Sequence, residues 1–485
     1  ETYQFRLVRE GVKERELSLK LAPHLTAVKP HLYAVYEGDS YGLAMLNFAL
    51  TFYDAFSGQW RQRRHRLLSR SQTLALEPHL NPRGLKGAGL YYDVLTDDAR
   101  FTLAIVASAA EHGAEVLNHT AVTGLVREGE KVVGVETRDQ VTGRPARFHG
   151  AVVVNATGPW TGRLASEEYG VPAAKLLPSK GAHLVFAKRD FPLEHVVFLR
   201  SPVDGRVTWP APALEPDRVY VGTTDTPYDG DPDRVEPDER DVRYLLNVAN
   251  HTIPDAHLDE SHIIGSWAGL RPLVAPAPGT AVGRASREHR VETGPGGMVT
   301  ISGGKLTSCR VMGKHVVDEA LRQLGRRAGP SRAAAVPLAG GLPDDIAQAA
   351  EALAASDVPP DLQRSWLRRF GGKALRLLEL WRSDAAQRET VGPRGLTGAE
   401  ITHAVVEERA ATLEDLMVRR TSLFFWEPDG ALAAVDAIAD RLDGLLGWTP
   451  EERARQIAAY AALVARHRPR PAGPASADKT TTEPA

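Results

Sequence analysis

Hydrophobic and polar positions in this chain change period several times, and each change marks an element. Over residues 4–22 the apolar positions Phe5, Val8, Val12 and Leu17 recur at helical spacing. A second helix-like run, YGLAMLNFALTFYDAF, covers 41–56 and is unusually apolar; the basic segment WRQRRHR follows at 60–66. Thr96 is placed to cap a third helix, DDARFTLAIVASAAEHG, which stops at Gly113. From 115 to 155 the pattern switches to short alternating strands: EVLNH, AVTGLVRE, KVVGVETR, ARFHG and AVVVNA. They read as a small β-meander returning to a buried strand, Ala151–Asn155. Further strands are expected at HLVFA (183–187), RVTWP (206–210), RVYVGTTD (218–225) and MVTIS (298–302).

The stretch TISGGKLTSCRVMGKHVVDEA, Thr300 to Ala320, joins such a strand to a helix whose Val311, Met312, His315, Val316 and Leu324 make one apolar face. Gly303, Gly304 and Lys305 stand at the junction, with Leu306 and Thr307 after them. A helix start offers unpaired N–H groups and partial positive charge, and glycines let a ligand approach the backbone closely. That suits an anionic or electron-rich ligand; an ordinary turn accounts for it equally well.

Residues 326–343, Pro/Gly/Ala-rich, read as a linker behind a first region spanning 1–325. The segment 344–466 is almost wholly helical in pattern, and 467–485 has the composition of a disordered tail. Strands alternating with helices, followed by a helical segment, place the fold in the α/β (α+β) class. With 59 basic and 61 acidic residues among 485, no global field draws the chain to nucleic acid. Cys309 is the only cysteine, which excludes an intramolecular disulfide framework and any multi-cysteine metal site and fits a reducing cytoplasm.

Several short constellations carry chemistry. The strand end Ala156-Thr157-Gly158 has the small residues with which an α/β sheet admits a nucleotide. LLPSKGAHLVF places Lys180, Gly181 and His183 at the start of a strand. GSWAGLRPLVAP frames Arg271 with apolar residues and Gly/Pro; a buried guanidinium needs an anion, either a ligand or an internal carboxylate. Thr223, Thr224 and Asp225 close a strand and can face a site. The acidic run after them is not a calcium loop: Gly230 is misplaced, and Arg240 stands where the bidentate glutamate would be. HExxH, GxSxG, the Walker lysine loop and GxGxxG are all absent, and no metal site is expected.

In order along about 300 residues, FRLVREGVKERELSLKLAPHL, GLYYDVLTDDAR, VVNATGPW, SKGAHLVF, GTTDTPYDGD, AGLRPL and SGGKLTSCRVM resemble the FAD-dependent glycerol-3-phosphate dehydrogenases. ATLEDLMVRRT resembles a segment of that family's C-terminal helical domain. The resemblance implies a two-dinucleotide-binding-domain type flavoprotein with a mixed-sheet substrate domain and an all-helical C-terminal domain. It implies FAD as cofactor and oxidation of sn-glycerol 3-phosphate to dihydroxyacetone phosphate, with electrons passed to quinone. FAD contacts would come from Val122, Ala156, Thr157, Gly158 and Gly303 through Thr307. Substrate-side residues would be His183, Lys305 and Arg271, with His183 or Lys305 as the base.

Against the family pattern, the chain opens beyond the glycine-rich segment that binds the pyrophosphate. Roughly 55–70 residues are expected to precede Glu1, the size of a βαβ unit plus a short extension. A glycerol-3-phosphate oxidase using oxygen, and a cofactor-less fragment acting as a binding protein, are the competing readings. Electron transfer to quinone implies a peripheral position on the inner face of the cell membrane, and an apolar 41–56 helix beside Arg61, Arg63, Arg64 and Arg66 suits an anionic bilayer surface. A homodimer is left open.

Overall fold

The computed structural model describes residues 5–57, 63–164, 176–274 and 288–468. The chain opens with α1 (Phe5–Leu21), β1 (Thr26–Tyr36), α2 (Leu43–Ser57), β2 (Arg66–Ser69), α3 (Arg70–Leu76), β3 (Leu85–Thr96) and α4 (Asp98–Glu111). A meander follows: β4 (Thr120–Glu128), β5 (Lys131–Asp139) and β6 (Pro145–His149). Next come β7 (Val154–Asn155), α5 (Thr161–Leu164), β8 (Leu176–Ala187), β9 (Val196–Arg200), β10 (Val207–Pro212), β11 (Arg218–Gly222) and β12 (Thr226–Pro227). The first region closes with α6 (Glu239–Thr252), β13 (Ile263–Val274), β14 (Arg290–Thr293), β15 (Val299–Ser302) and α7 (Cys309–Gln323).

Nine strands form one mixed sheet in the order β12-β8-β11-β10-β9-β1-β3-β2, with β13 also on β8. Among the described residues only β1 and β9 pair in parallel within it; the other ladders are antiparallel. Side-chain alternation decides what each face meets. On β8, Ala182, Leu184 and Phe186 are fully buried and pack with Val242, Leu245, Val248 and Ala249 of α6. Gly181 and His183 point to the other face. A second, three-stranded sheet runs β14-β15-β7, in which β7 and β15 are parallel.

The helical region comprises α8 (Pro343–Ala354), α9 (Pro360–Phe370), α10 (Ala374–Ser383), α11 (Gly398–Val406), α12 (Leu423–Trp426), α13 (Val435–Leu446) and α14 (Pro450–Arg466). It has two apolar cores of its own, one around Trp366 and Leu377 and one around Leu416, Ile438 and Tyr460. Two short strands, Thr390–Gly392 and Leu396–Thr397, interrupt the helices. The linker is docked: Leu338 N–H donates to Leu21 O at 2.7 Å, and Ala339 N–H to Ser108 Oγ at 2.8 Å.

Four local expectations are corrected. Residues 115–119 form no strand, because Asn118 and His119 are drawn to the helical region instead: Asn118 Nδ2 donates to Arg409 O at 2.7 Å, and the His119 ring meets Asp415 at 2.6 Å. The buried strand expected at Ala151–Asn155 shrinks to Val154–Asn155, and Val154 is exposed; β15 is its one ladder partner among the described residues. Asp97, not Thr96, caps α4, accepting from Arg100 N–H at 3.0 Å, while the Thr96 hydroxyl donates to Leu25 O. The face of α7 carries no fully buried residue, and Leu324 is exposed. Most of the 467–485 tail lies outside the described residues.

Candidate functional site

The register of three strands assembles the site. His183 pairs with Gly222 of β11 on one side and with Trp267 of β13 on the other; Gly181 pairs with Gly269, and Ser179 with Arg271. Because the side-chain period is two, His183, Gly181, Trp267 and Arg271 share one face. The glycines are required there. A Cβ at Gly222 would lie 2.0 Å from His183 Cδ2, and one at Gly181 would lie 2.6 Å from both Arg271 Nη2 and Thr223 Oγ1.

The His183 imidazole stacks on the Trp267 indole, with ring centroids 4.8 Å apart and planes at 11°, and meets Tyr220 at 6.1 Å. Its Nδ1 is buried with no hydrogen-bond partner among the described residues. Burial, and then the neighbouring Arg271 charge, lowers its pKa from 6.5 to about 4, so the ring is neutral at physiological pH. A neutral imidazole near an alcohol is a competent proton acceptor.

Arg271 uses its fork on the chain itself. Nη2 donates to Thr223 Oγ1 at 3.0 Å, Nη1 donates to Thr224 O at 3.2 Å, and Asp225 lies 3.4 Å away. Asp225 also faces Arg206 at 3.3 Å and accepts from the Ser179 hydroxyl. Thr223, Thr224 and Asp225 thus do face the site, as the backing of Arg271. Lys180, one residue along β8, points the opposite way. Its ammonium sits 2.7 Å from Asp241 and 2.9 Å from Asp238 at the start of α6, so it is part of the core rather than of the site.

The second group of residues lies where β7 and β15 end side by side. Ala156-Thr157-Gly158 follows β7, and Gly303 through Thr307 follows β15. Gly303 and Gly304 adopt φ of 75° and 99°; a Cβ on Gly303 would lie 2.7 Å from Glu288 O, and one on Gly304 2.5 Å from Met312 Sδ. Leu306–Ser308 make one 3₁₀ turn before α7 begins. Asn155 Nδ2 and Thr300 Oγ1, on the paired strands, are buried without partners among the described residues.

Two clefts flank this junction. One, of about 680 Å³, lies between the sheet and the helical region and is lined by His183, Trp267, Tyr220, Trp209, Phe425 and Trp426 among others. The other, of about 390 Å³, is lined by Lys305, Thr307, Arg15, Tyr53 and Asp93. Thr96 and Leu306 line both. His183 and Lys305 therefore open into different clefts on either side of Leu306, and Lys305 is exposed rather than buried. Val122, on edge strand β4, is exposed and lines neither cleft.

Sequence reasoning missed the aromatic wall. Trp267 had a usable signal, since it stands four residues from Arg271 and so shares its face in a strand. Phe425 and Trp426 had none, because they come from a different region of the chain. The same holds for the Arg15–Tyr53–Asp93 cluster, in which Arg15 Nη1 donates to Tyr53 Oη at 2.7 Å and Tyr53 donates to Asp93 at 2.9 Å.

Comparison with known proteins covers nearly the whole chain. Residues 1–319 match the family model described as FAD dependent oxidoreductase, and residues 331–453 match that of the C-terminal domain of alpha-glycerophosphate oxidase. The aerobic glycerol-3-phosphate dehydrogenase of Bacillus subtilis (strain 168) is 32% identical over 466 residues, covering 93% of this chain and 82% of that protein. The enzyme of the same name from Staphylococcus haemolyticus is 30% identical over 462 residues, covering 93% and 82%. The glycerol-3-phosphate dehydrogenase from Bacillus halodurans, solved complexed with FAD, superposes with a TM-score of 0.82 at 28% identity, covering 95% of this chain and 86% of that one.

Proposed function

From the premise that this chain belongs to the FAD-dependent oxidoreductases, within the aerobic glycerol-3-phosphate dehydrogenases, we propose that it oxidises sn-glycerol 3-phosphate to dihydroxyacetone phosphate and passes the electrons to quinone. The observation that carries this reading is a neutral, desolvated imidazole beside a fork-shaped cation, facing a cleft next to a glycine cradle.

The cradle suits FAD. Side chains at Gly303 and Gly304 would collide with their surroundings, two unpartnered polar atoms, Asn155 Nδ2 and Thr300 Oγ1, lie in the strands just before the two turns, and the backbone after Gly304 starts a helix. Ala156–Gly158 and Gly303–Thr307 would hold the cofactor, whose isoalloxazine supplies the two-electron acceptor for the C2 hydrogen. His183 removes the proton of the C2 hydroxyl while the C2–H bond breaks, giving the ketone. Arg271 supplies positive charge on the same sheet face, for the phosphate or the C2 oxygen. Lys305 lies on the opposite side of Leu306 from His183, where its charge would favour added electron density on the bound flavin.

The membrane surface is the proposed route to quinone. Leu46 and Leu50 of α2 are buried, whereas Met45, Phe48 and Phe52 are exposed on its other side, the two phenylalanines 4.8 Å apart edge to face. Arg63, Arg64 and Arg66 are exposed nearby; Arg61 lies outside the described residues. No helix among the described residues is long and apolar enough to cross a membrane.

Anaerobic stopped-flow reduction of the flavin-loaded protein tests the chemistry. His183→Asn should slow flavin bleaching by glycerol 3-phosphate roughly a hundredfold or more, with a smaller change in substrate affinity. An unchanged rate refutes His183 as base. Turnover with a quinone and without hydrogen peroxide supports the acceptor; stoichiometric peroxide assigns oxygen instead.

A further inference from the structure

His183 lacks the usual device that orients a working histidine. A catalytic imidazole is normally held by a carboxylate or carbonyl on its far nitrogen, which also fixes the tautomer. Here Nδ1 is sealed and unpartnered among the described residues, so packing must hold the ring. One side of the ring is covered by the Trp267 indole, nearly parallel at 11°. The strand below is clear only because residue 222 is glycine.

Trp267 is itself held from outside the sheet. Phe425 meets it edge to face at 5.2 Å and 72°, and Trp426 does so at 6.3 Å and 78°. Both belong to α12 of the helical region. That helix is tied to the sheet through the Trp426 carbonyl, which accepts from Arg218 Nε at 2.7 Å. Arg218 is the first residue of β11, the strand that carries Tyr220 and Gly222. The contact chain α12, Trp267, His183 therefore runs from the helical region to the reacting nitrogen.

We propose that Trp267 is a positioning residue for His183 and that Phe425 and Trp426 make the C-terminal helical region a structural part of the active site. This rests on the reading of His183 as base. Aromatic pairs of this geometry add energy beyond buried area and fix relative orientation. An imidazole held at one angle presents Nε2 to a substrate without paying to order it first. The stack also keeps water from Nδ1. Tyr220 from β11 packs beside the ring and Arg271 from β13 acts on it by charge, while Asp97 and Asp98 at the start of α4 line the same cleft. Glu215, Arg368, Arg369, Arg419 and Arg420 line that cleft as well. Of these only Arg271 lowers the ring's pKa by its charge, and its hydrogen bonds run to Thr223 and Thr224 rather than to Trp267.

The test compares Trp267→Phe, Trp267→Leu and Phe425→Leu with His183→Asn in flavin-loaded protein. Two readouts are used: the pH dependence of flavin reduction, and the His183 ring titration by NMR in protein without substrate. Trp267→Leu should move both midpoints upward, from about 4 toward 6.5, by about one pH unit or more as water reaches the ring. The reduction rate at pH 7 should fall roughly ten- to a hundredfold with substrate affinity changed less than about twofold. Trp267→Phe should recover most of the rate, and Phe425→Leu should shift the titration in the same direction without touching the ring. Unmoved midpoints in both leucine variants, while His183→Asn is inactive, overturn the inference alone. An active His183→Asn overturns the base assignment and the inference with it. Thermal midpoints separate a folding failure in Trp267→Leu, in which case Phe425→Leu decides.

Discussion

Arg271 keeps its donors on its own chain before any ligand arrives, and its neighbours decide what a substitution does. Thr223 and Thr224 accept from the guanidinium, and Asp225 stands beside it. Losing a charge-assisted bond to a buried anion costs on the order of 2–5 kcal/mol, roughly thirtyfold to several-thousandfold in kcat/KM. Arg271→Ala should show that loss for glycerol 3-phosphate with flavin content intact, and Arg271→Lys should recover only part of it because an ammonium lacks the fork. A change under about threefold in Arg271→Ala would assign the side chain to the 222–225 turn alone. Lys180 gives the contrasting outcome. Its removal leaves Asp241, 2% exposed, without its counter-charge. Lys180→Ala should lower stability by about 3 kcal/mol in urea unfolding while the flavin reduction rate of folded protein stays within about twofold.

At the scale of elements, β8 and α2 each present two unlike faces. In β8 the face of Ala182, Leu184 and Phe186 meets α6, and the face of Gly181 and His183 meets the cleft; Lys180 and His183, three residues apart and so on opposite faces, therefore have unrelated duties. In α2 both faces are apolar, but only one is covered. Phe48 is 60% exposed and Met45 53%, values unusual for side chains of that size. Replacing Arg63, Arg64 and Arg66 by glutamine should at least halve co-sedimentation with anionic liposomes, with dye-linked turnover unchanged. Phe48→Ser with Phe52→Ser should do the same at high salt, where the charges are screened. Equal sedimentation of all variants would leave α2 as a surface helix with no bilayer role.

Across the whole molecule, the sheet region and the helical region are joined by the aromatic contacts around Trp267 and by ion pairs, of which Arg100–Glu408 is buried and Arg394–Asp217 more exposed. Arg100 grips Glu408 with two bonds of 2.6 and 2.8 Å, and Arg394 reaches Asp217 at 3.0 Å. His24 and His403 line a small cavity beside Arg100, and burial lowers both pKa values to about 4. With His183, three histidines are neutral when folded but titrate near 6.5 when unfolded. Between those values the unfolded chain binds more protons, so stability is fully present above about 6.5 and is lost as pH falls toward 4. Urea midpoints should therefore drop steadily from pH 7.5 to 5. A His24→Gln, His403→Gln double variant should flatten that slope. A wild-type midpoint constant across this range would mean that the buried rings bind protons as readily in the folded state as in the unfolded one.

Local pattern determined a good deal. The period-two runs located the meander, β8, β11 and β15; the Gly-Gly-Lys junction located a strand-to-helix turn; and the motif order pointed to the family. These are properties of consecutive residues, whose alternation and turn chemistry do not depend on distant partners. Tertiary structure decided the rest. Whether Ala151–Asn155 is a strand depends on how many neighbours it has, and His119 leaves the ladder for Asp415, 296 residues away. His183 is neutral because Trp267 and Tyr220 cover it and Arg271 stands beside it, none of which its own neighbours in sequence specify. Lys305 and His183, which the motifs placed in one site, open into separate clefts because Leu306 stands between them. Burial, charge coupling and access are sums over residues brought together from several elements, so they exist only once the sheet has set its register and the helical region has closed over it.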